Sequence, residues 1–522
     1  MKQQPMTKPV KGAGGRRLAA IDIGSNSIRC IVVETGPSSA FRILDDEKAT
    51  VRLGEGLSST GRISVQAQQR ARDALLRMKK ITEGLGVEVV ETIATSAIRR
   101  AGNGKAFIEA IREDCGLDIR VISGEEEGEL ALESALHQFS LESGRNIVFD
   151  IGGGSVEIVC AAGQHVEETA SLELGAVVMT ERFFSEDPIP DSEFKALRRH
   201  VRSELKKVFG GQAASSWVIV GSGGTVTTVG GMVMAMRNEQ YDSLKGYEVL
   251  RSEVVHLLTM LRRKSIAERS QLAGLGSDRA DIIVAGVVLV DELMRRFGAN
   301  VLRINDRGIR EGLILKCLVK HGLLDSPEPY RDWRGSVQSL ARSCHQEGAH
   351  GETVARLALN LFDGLAQETT LLPRDRELLE AAALLHDIGY FISYAQHHKH
   401  SYHLIRHAEL FGFTPREREI IANLARYHRK SLPKKAHDNF KRLLPEDRDR
   451  TRQLAGMLRL ADGLDRRRGG AVQRLECRVQ SDQLTVFLYG EGDFSVEVHG
   501  GQVKSDLLAS AFDRRLDLQV AT

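Results

Sequence analysis

Nothing in this chain is apolar for long enough to cross a bilayer; the longest such run, Ile282 to Val290, has the length of a buried helix or strand. Met1 to Arg17 are basic and glycine-rich but lack the apolar h-region of a secretory signal. They are expected to form a disordered tail on a cytoplasmic protein with no membrane partner. The six cysteines are scattered with no C-x-x-C pair, which argues against a disulfide framework and for buried, reduced thiols. A large net charge is missing too. With a balance of +2 the chain lacks the basic field of a dedicated nucleic-acid binder and must hold any polyanion locally. What is present is length, 522 residues, and 42% hydrophobic content, enough for several domains with real cores.

One stretch is written twice. Leu18 to Val33 contains Asp22-Ile23-Gly24-Ser25-Asn26-Ser27, and Asn146 to Cys160 contains Asp150-Ile151-Gly152-Gly153-Gly154-Ser155. Each copy is an apolar strand, a carboxylate, a glycine turn, a serine and a second apolar strand. Ile21, Ile23, Ile28 and Ile31 match Phe149, Ile151, Val156 and Val159 at a constant offset of 128 positions, the separation of Asp22 from Asp150. One Gly-rich turn signifies little by itself. Duplication of turn and flanks points to two related half-domains facing each other. Such a turn presents backbone N–H groups as an anion cradle, and a carboxylate at its mouth makes sense when a cation, usually Mg2+, sits between it and a phosphate. The pair is expected to form the jaws of a phosphate cleft.

Periodicity places strands at Phe41 to Arg52, Val89 to Thr95 and Ile119 to Ile122, and helices at Val65 to Glu83 and Gly104 to Cys115. Ser123-Gly124-Glu125-Glu126 has the form of a capping box opening a helix that runs through Phe139. After the second copy come a strand ending near Leu172, a helix at Asp191 to Phe209, and a strand Trp217 to Val220. That strand empties into Gly221-Ser222-Gly223-Gly224-Thr225, a third candidate phosphate loop in which Gly223 and Thr225 are the expected contacts. Asp278 to Arg296 reads as one helix, Val301 to Ile304 as a strand, Gly308 to Leu318 as a helix and Pro327 to Arg334 as a linker. Beyond it helical periodicity dominates and histidine accumulates; Val472 to Val498 then alternates in β fashion around a Gly490-Glu491-Gly492 turn. The expected organisation is a tail (1–16), two α/β halves (17–134 and 135–322), a helical domain (330–470) and a small α+β unit (471–522).

Cleaving a phosphoanhydride with water requires a base, a metal and donors for the rest of the chain. Asp150 and Asp22 are the metal-side carboxylates, with Glu157 two residues past the second turn on a strand face that reaches the same space. Arg99 follows a strand and is placed to grip a phosphate bidentately; its ordinary reading is a surface arginine beside Arg100. The run Glu125-Glu126-Glu127 supplies the base, although acidic residues at a helix N-terminus are favourable for their own sake. The capping box separates them. Glu126 is expected to return its carboxylate to the Ser123 backbone, leaving Glu127, about 100° further round the helix, free to face the cleft as general base.

The set D-I-G-S-N-S, T-S-A-x-R, I-S-G-x-E-E, D-I-G-G-G-S-x-E, G-S-G-G-T and R-A-D with R-E-G resembles the exopolyphosphatase and guanosine pentaphosphatase (Ppx/GppA) family, in order, over Leu18 to Leu318. The resemblance implies two RNase H-like domains of the actin, Hsp70 and sugar-kinase type around a cleft. It implies Mg2+-dependent release of the terminal phosphate of polyphosphate, or of the 5′ γ-phosphate of guanosine pentaphosphate. A monovalent cation is a further cofactor candidate. It also makes Glu127 the base, gives Asp150, Gly153, Gly154 and Ser155 the metal and phosphate roles, and extends these to Asn26, Ser27, Arg99 and Glu157. A homodimer is the implied assembly. Two other readings stay open: a kinase or chaperone-like ATPase of the same fold group, and a non-catalytic polyphosphate or alarmone sensor.

Longer members of that family carry a C-terminal helical domain of HD type. His350, His386-Asp387 and Asp462 here match the ligand order of an HD metal site, with His400 and His428 as candidates for a second ion. Two readings stand side by side: a second phosphohydrolase centre with its own divalent metal, and a vestigial domain whose histidines are packed or solvated. The basic clusters at Arg426 to Lys430, Lys434-Lys435 and Arg466 to Arg468 are expected to track a polyphosphate, or else to be solvated helix faces.

Overall fold

The computed structural model describes residues 15–35, 41–139, 141, 144–163, 165–210, 218–323, 333–346 and 348–521. Most of the expected tail, most of the linker and Trp217 lie outside the described residues. The chain divides into two compact units, one of residues 1–238 and 244–329 and one of 239–243 and 330–522. No helix among the described residues is long and apolar enough to cross a membrane. All six cysteines are free, five of them buried.

The first unit contains two sheets built to one plan. Strands β1 (Arg17–Ile23), β2 (Ser27–Thr35), β3 (Phe41–Thr50), β4 (Val89–Ala94) and β5 (Ile119–Val121) lie in the order β3-β2-β1-β4-β5. The second sheet has β6 (Arg145–Ile151), β7 (Val156–Ala162), β8 (His165–Leu172), β9 (Val218–Ser222), β10 (Glu248–Leu250) and β11 (Val301–Ile304) in the order β10-β11-β9-β6-β7-β8. Without its edge strand β10, that is the same 3-2-1-4-5 order. The duplicated segments are the β1–β2 and β6–β7 hairpins, and their registers agree as well: Asp22 faces Arg29 and Asp150 faces Glu157. These are two RNase H-like α/β halves.

Strands this apolar on consecutive residues must be covered on both faces. In β1, Ala19, Ile21 and Ile23 pack with residues of the helices Val65–Gly84 and Gly104–Cys115. Leu18 and Ala20, on the opposite face, pack with Leu313, Ile314 and Leu318 of the helix Ile309–Lys320. The last helix of the first unit therefore returns to the first sheet. There it also crosses the helix Gly124–Gln138, and a Cβ added at Gly312 would stand 2.1 Å from the Leu130 carbonyl oxygen. Gly312→Ala is expected to cost about 1–3 kcal/mol by overpacking, read as a lowered urea midpoint with unchanged far-ultraviolet circular dichroism.

Two expected elements differ. Asp278 to Arg296 is not one helix: a 3-10 turn, Ser277–Arg279, precedes the helix Ile283–Arg296. The β alternation expected up to Val498 stops earlier. Strands β12 (Val472–Val479) and β13 (Gln483–Gly490) give way to the helix Ser495–Lys504 before β14 (Arg515–Val520) closes the sheet parallel to β13. In the second unit the helices Ala349–Gly364, Pro373–Leu385, Pro415–Tyr427 and Pro445–Gly463 bury Leu357, Leu378, Leu424 and Leu458 in one core. That core is shared with Leu475, Val486 and Leu508 of the terminal segment.

Candidate functional site

Within the first unit the β1–β2 and β6–β7 turns meet. Each turn is closed by the same bond, Gly24 N–H to the Ser27 carbonyl at 3.1 Å and Gly152 N–H to the Ser155 carbonyl at 3.0 Å. None of the glycines in these two turns has positive φ; close approach is what requires them. A Cβ on Gly154 would lie 2.5 Å from Ser96 Oγ and 2.7 Å from Ser25 Oγ, and one on Gly153 would lie 3.3 Å from the Asn26 nitrogen. The third loop differs, since Gly223 sits at φ +90, outside what an L side chain readily adopts.

The three loops enclose a cavity of about 120 Å³. Asp22, Asn26, Ser27, Glu127, Asp150, Gly153, Gly154, Ser155, Glu157, Gly223 and Thr225, all expected from sequence, line it together. Ser222 donates to Asp150 Oδ2 at 2.6 Å and Ser171 to Glu157 Oε1 at 2.9 Å. Burial raises the carboxyl of Asp22 to about 6, with Arg29 and Arg310 opposing the rise. Burial likewise raises Asp150, against the hydrogen bond from Ser222. Glu157 and Glu127 are raised by burial and, for Glu127, by the neighbouring Glu157 charge. Burial outweighs the nearby guanidinium charges in each case, so further positive charge in the cavity would favour the ionised carboxylates. Asp22 Oδ1 is buried with no hydrogen-bond partner among the described residues. The donor set fits a hard divalent ion such as Mg2+.

Glu127 is 3% exposed and accepts a 2.6 Å bond from Arg99 Nη1, which also donates to the Ile122 carbonyl at 2.7 Å. Arg99, expected to grip phosphate, holds Glu127 through Nη1 and is not among the residues lining the cavity. The capping box is half formed. Ser123 Oγ accepts from Glu126 N–H at 3.1 Å, but the Glu126 carboxylate takes two bonds from Arg120, at 2.6 and 2.7 Å, instead of returning to the Ser123 backbone. A charge-assisted pair, one guanidinium nitrogen shared by both carboxylate oxygens, outcompetes a single amide. The outcome for Glu127 is the same, because Glu126 is held away from it.

Sequence reasoning missed two cavity arginines that have no ion pair among the described residues, Arg29 and Arg279. Burial depresses the Arg279 guanidinium, which lies where a Cβ on Gly224 would fall. Both were signalled. Arg29 stands at the repeat position of Glu157, and Arg279 opens the R-A-D motif. Arg310 of R-E-G lines the cavity too, paired with Asp46 and Glu311.

In the second unit His350, His386, Asp387, His428 and Asp462 come together. His350 Nε2 lies 3.5 Å from Asp462 Oδ1 and 3.9 Å from Asp387 Oδ2; His386 Nε2 lies 3.6 Å from Asp387 Oδ1. His400 is not in this group: His397, one helical turn earlier, takes its place with Nε2 3.3 Å from Asp387 Oδ1 and 3.3 Å from His428 Nε2. Periodicity cannot tell which histidine of His397-His398-Lys399-His400 turns inward, since residues three apart share a face. The basic clusters do not form one solvated track. Tyr427 and His428 are buried, Arg467 pairs with Glu497, and Arg468 pairs with Asp387.

Paired RNase H-like halves closing on buried carboxylates and unpaired arginines define a phosphate-handling enzyme of the actin-like fold class. The profile of the Ppx/GppA phosphatase family matches residues 31–321, more than half the chain, and the chain belongs to that family. The profile of Ppx/GppA phosphatase domain III matches 334–499. Among solved structures, the Aquifex aeolicus Ppx/GppA family member is 31% identical at a TM-score of 0.51, covering 59% of this chain and 98% of its own. An exopolyphosphatase from Cytophaga hutchinsonii is 25% identical at a TM-score of 0.55, covering 58% and 98%.

Proposed function

We propose that this phosphatase is an exopolyphosphatase that hydrolyses the terminal phosphoanhydride of inorganic polyphosphate, with Glu127 as general base. The observation that carries the reading is Glu127 itself, a buried carboxylate held by Arg99 at the wall of a cavity lined by the three Gly-rich loops. Asn26, Ser27, Gly153, Gly154, Ser155, Gly223 and Thr225 would bind phosphate oxygens, with Arg29 and Arg279 neutralising their charge. Asp22, Asp150 and Glu157 would hold Mg2+, whose chemistry there is to spread charge over the phosphoryl oxygens. Glu127 takes a proton from water, the water oxygen bonds to the terminal phosphorus, and the anhydride P–O bond breaks to give orthophosphate and a chain one phosphate shorter.

The lining also favours polyphosphate over guanosine pentaphosphate. Among the described residues it contains no aromatic side chain, the usual flat platform for a purine. Release of phosphate from long polyphosphate, tripolyphosphate and guanosine pentaphosphate, compared by kcat/KM, tests this; long polyphosphate is expected to lead. A lead for guanosine pentaphosphate would transfer the reading to the 5′-phosphohydrolase, and no turnover of any of the three would favour a sensor.

A further inference from the structure

The second unit contains a cluster that the cleft chemistry does not use. Four imidazoles and two carboxylates converge; His350, His397, His428, Asp387 and Asp462 line a cavity of about 440 Å³, with His386 buried behind them. The tautomers are fixed from behind. His386 Nδ1 is 2.6 Å from the Ala383 carbonyl, His428 Nδ1 2.7 Å from that of Ala425 and His397 Nδ1 3.1 Å from that of Tyr394. A carbonyl only accepts, so in each ring Nδ1 carries the hydrogen and Nε2 presents a lone pair; Arg429 Nη1 stands 3.3 Å from that of His397. His350 Nδ1 faces Asp465 Oδ2 at 2.7 Å, the carboxylate–imidazole arrangement that orients metal-binding histidines. Asp465 was not foreseen from sequence.

All four Nε2 atoms point to the same place, and those of His350 and His386 are buried with no hydrogen-bond partner among the described residues. His397 and His428 Nε2 stand 3.3 Å apart, two lone pairs with no hydrogen between them. Ligands held about 2.1 Å from one ion lie about 3–3.5 Å apart, close to the 3.3–3.6 Å spacings here. Asp387 belongs to both triads, with His350 and His386 on one side and His397 and His428 on the other. The floor carboxylates are met by cations, Lys504 at Asp462 and Arg468 at Asp387. These ion pairs make no use of the inward lone pairs of His386 and His428. Lys430 and Arg466 line the same cavity, exposed and without an ion pair among the described residues.

The geometry points to a second, dinuclear centre for divalent transition metals, bridged by Asp387, whose cationic rim receives a phosphate group. His350, His386 and Asp462 complete one position; His397 and His428 complete the other.

The test uses the full chain carrying Asp150→Asn, which silences the cleft carboxylate, with Mn2+ and inorganic phosphate as probes. After chelation and reloading, about two Mn2+ per chain are expected, with the electron paramagnetic resonance signal of a coupled pair. His397→Ala should leave about one uncoupled Mn2+, and Asp387→Asn should lose both. Phosphate should bind the loaded chain at least tenfold more tightly than the chelated one, an advantage lost in Asp387→Asn. Circular dichroism reports folding, and the coupled-pair signal in the parent is independent of whether any variant folds. A parent that takes up no Mn2+, or a folded Asp387→Asn chain that keeps its full complement, overturns the centre. Single occupancy untouched by His397→Ala overturns the second position, and phosphate affinity indifferent to Mn2+ overturns the ligand. None of these readouts depends on turnover in the cleft.

Discussion

Glu127→Gln should lower kcat for phosphate release by about 10²- to 10⁴-fold, the range of a lost general base, while polyphosphate binding changes little. The substitution keeps shape and leaves an amide oxygen to accept the Arg99 bond that the carboxylate accepts now. What it removes is the ability to take a proton from water. The same change should raise the thermal stability of the metal-free chain. Burial and the Glu157 charge hold the Glu127 carboxyl above its ordinary range, so the ionised form opposes folding at neutral pH and a neutral amide does not. Stopped phosphate release with a raised melting temperature is the expected signature. Retained turnover would remove Glu127 from the base role, and loss of stability would show that its charge is compensated in the fold.

The second large effect concerns the cation. Asp22 is raised to about 6 and Asp150 in the same direction, burial being the first cause of both. For a carboxyl raised on folding, the native state binds the proton more tightly than the unfolded chain does. That contribution is fully present below the unfolded value, near 3.8 for Asp22, and fades as pH rises to about 6. Above that window a bound divalent ion would supply positive charge to the ionised carboxylates. Mg2+ should therefore raise the melting temperature little at pH 5 and several degrees at pH 8, as followed by scanning fluorimetry. Asp150→Asn should remove most of that pH-dependent gain and lower kcat by at least about 10²-fold. A gain equal at both pH values, or equal in the variant, would separate the cation from these carboxylates.

Much of the cleft was legible because it is repeated. The 128-residue offset carries turn, flanking strands and register together, and Asp22 with Asp150 follows from it. Read to its end, the same offset would have given Arg29, opposite Glu157 in the other half. For Arg99 the sequence shows proximity to the site and not its partner, a buried carboxylate 2.6 Å away. The capping box failed in its second bond for a similar reason: Arg120, on β5, offers Glu126 a stronger partner than the Ser123 amide. Among the histidines, His397 and His400 share one helix face, so the choice between them waits on what packs against that face.

The sequence alone determined the two-half α/β plan, the carboxylates and loops of the cleft, and a second module rich in histidine and helix. These rest on local rules, apolar periodicity and duplication, which are written in neighbouring residues. Tertiary structure alone decided the partner of Arg99, the inward direction of the imidazole Nε2 atoms, and the choice of His397 over His400. Those outcomes depend on contacts between segments far apart in the chain, where packing, not local preference, sets the direction of a side chain.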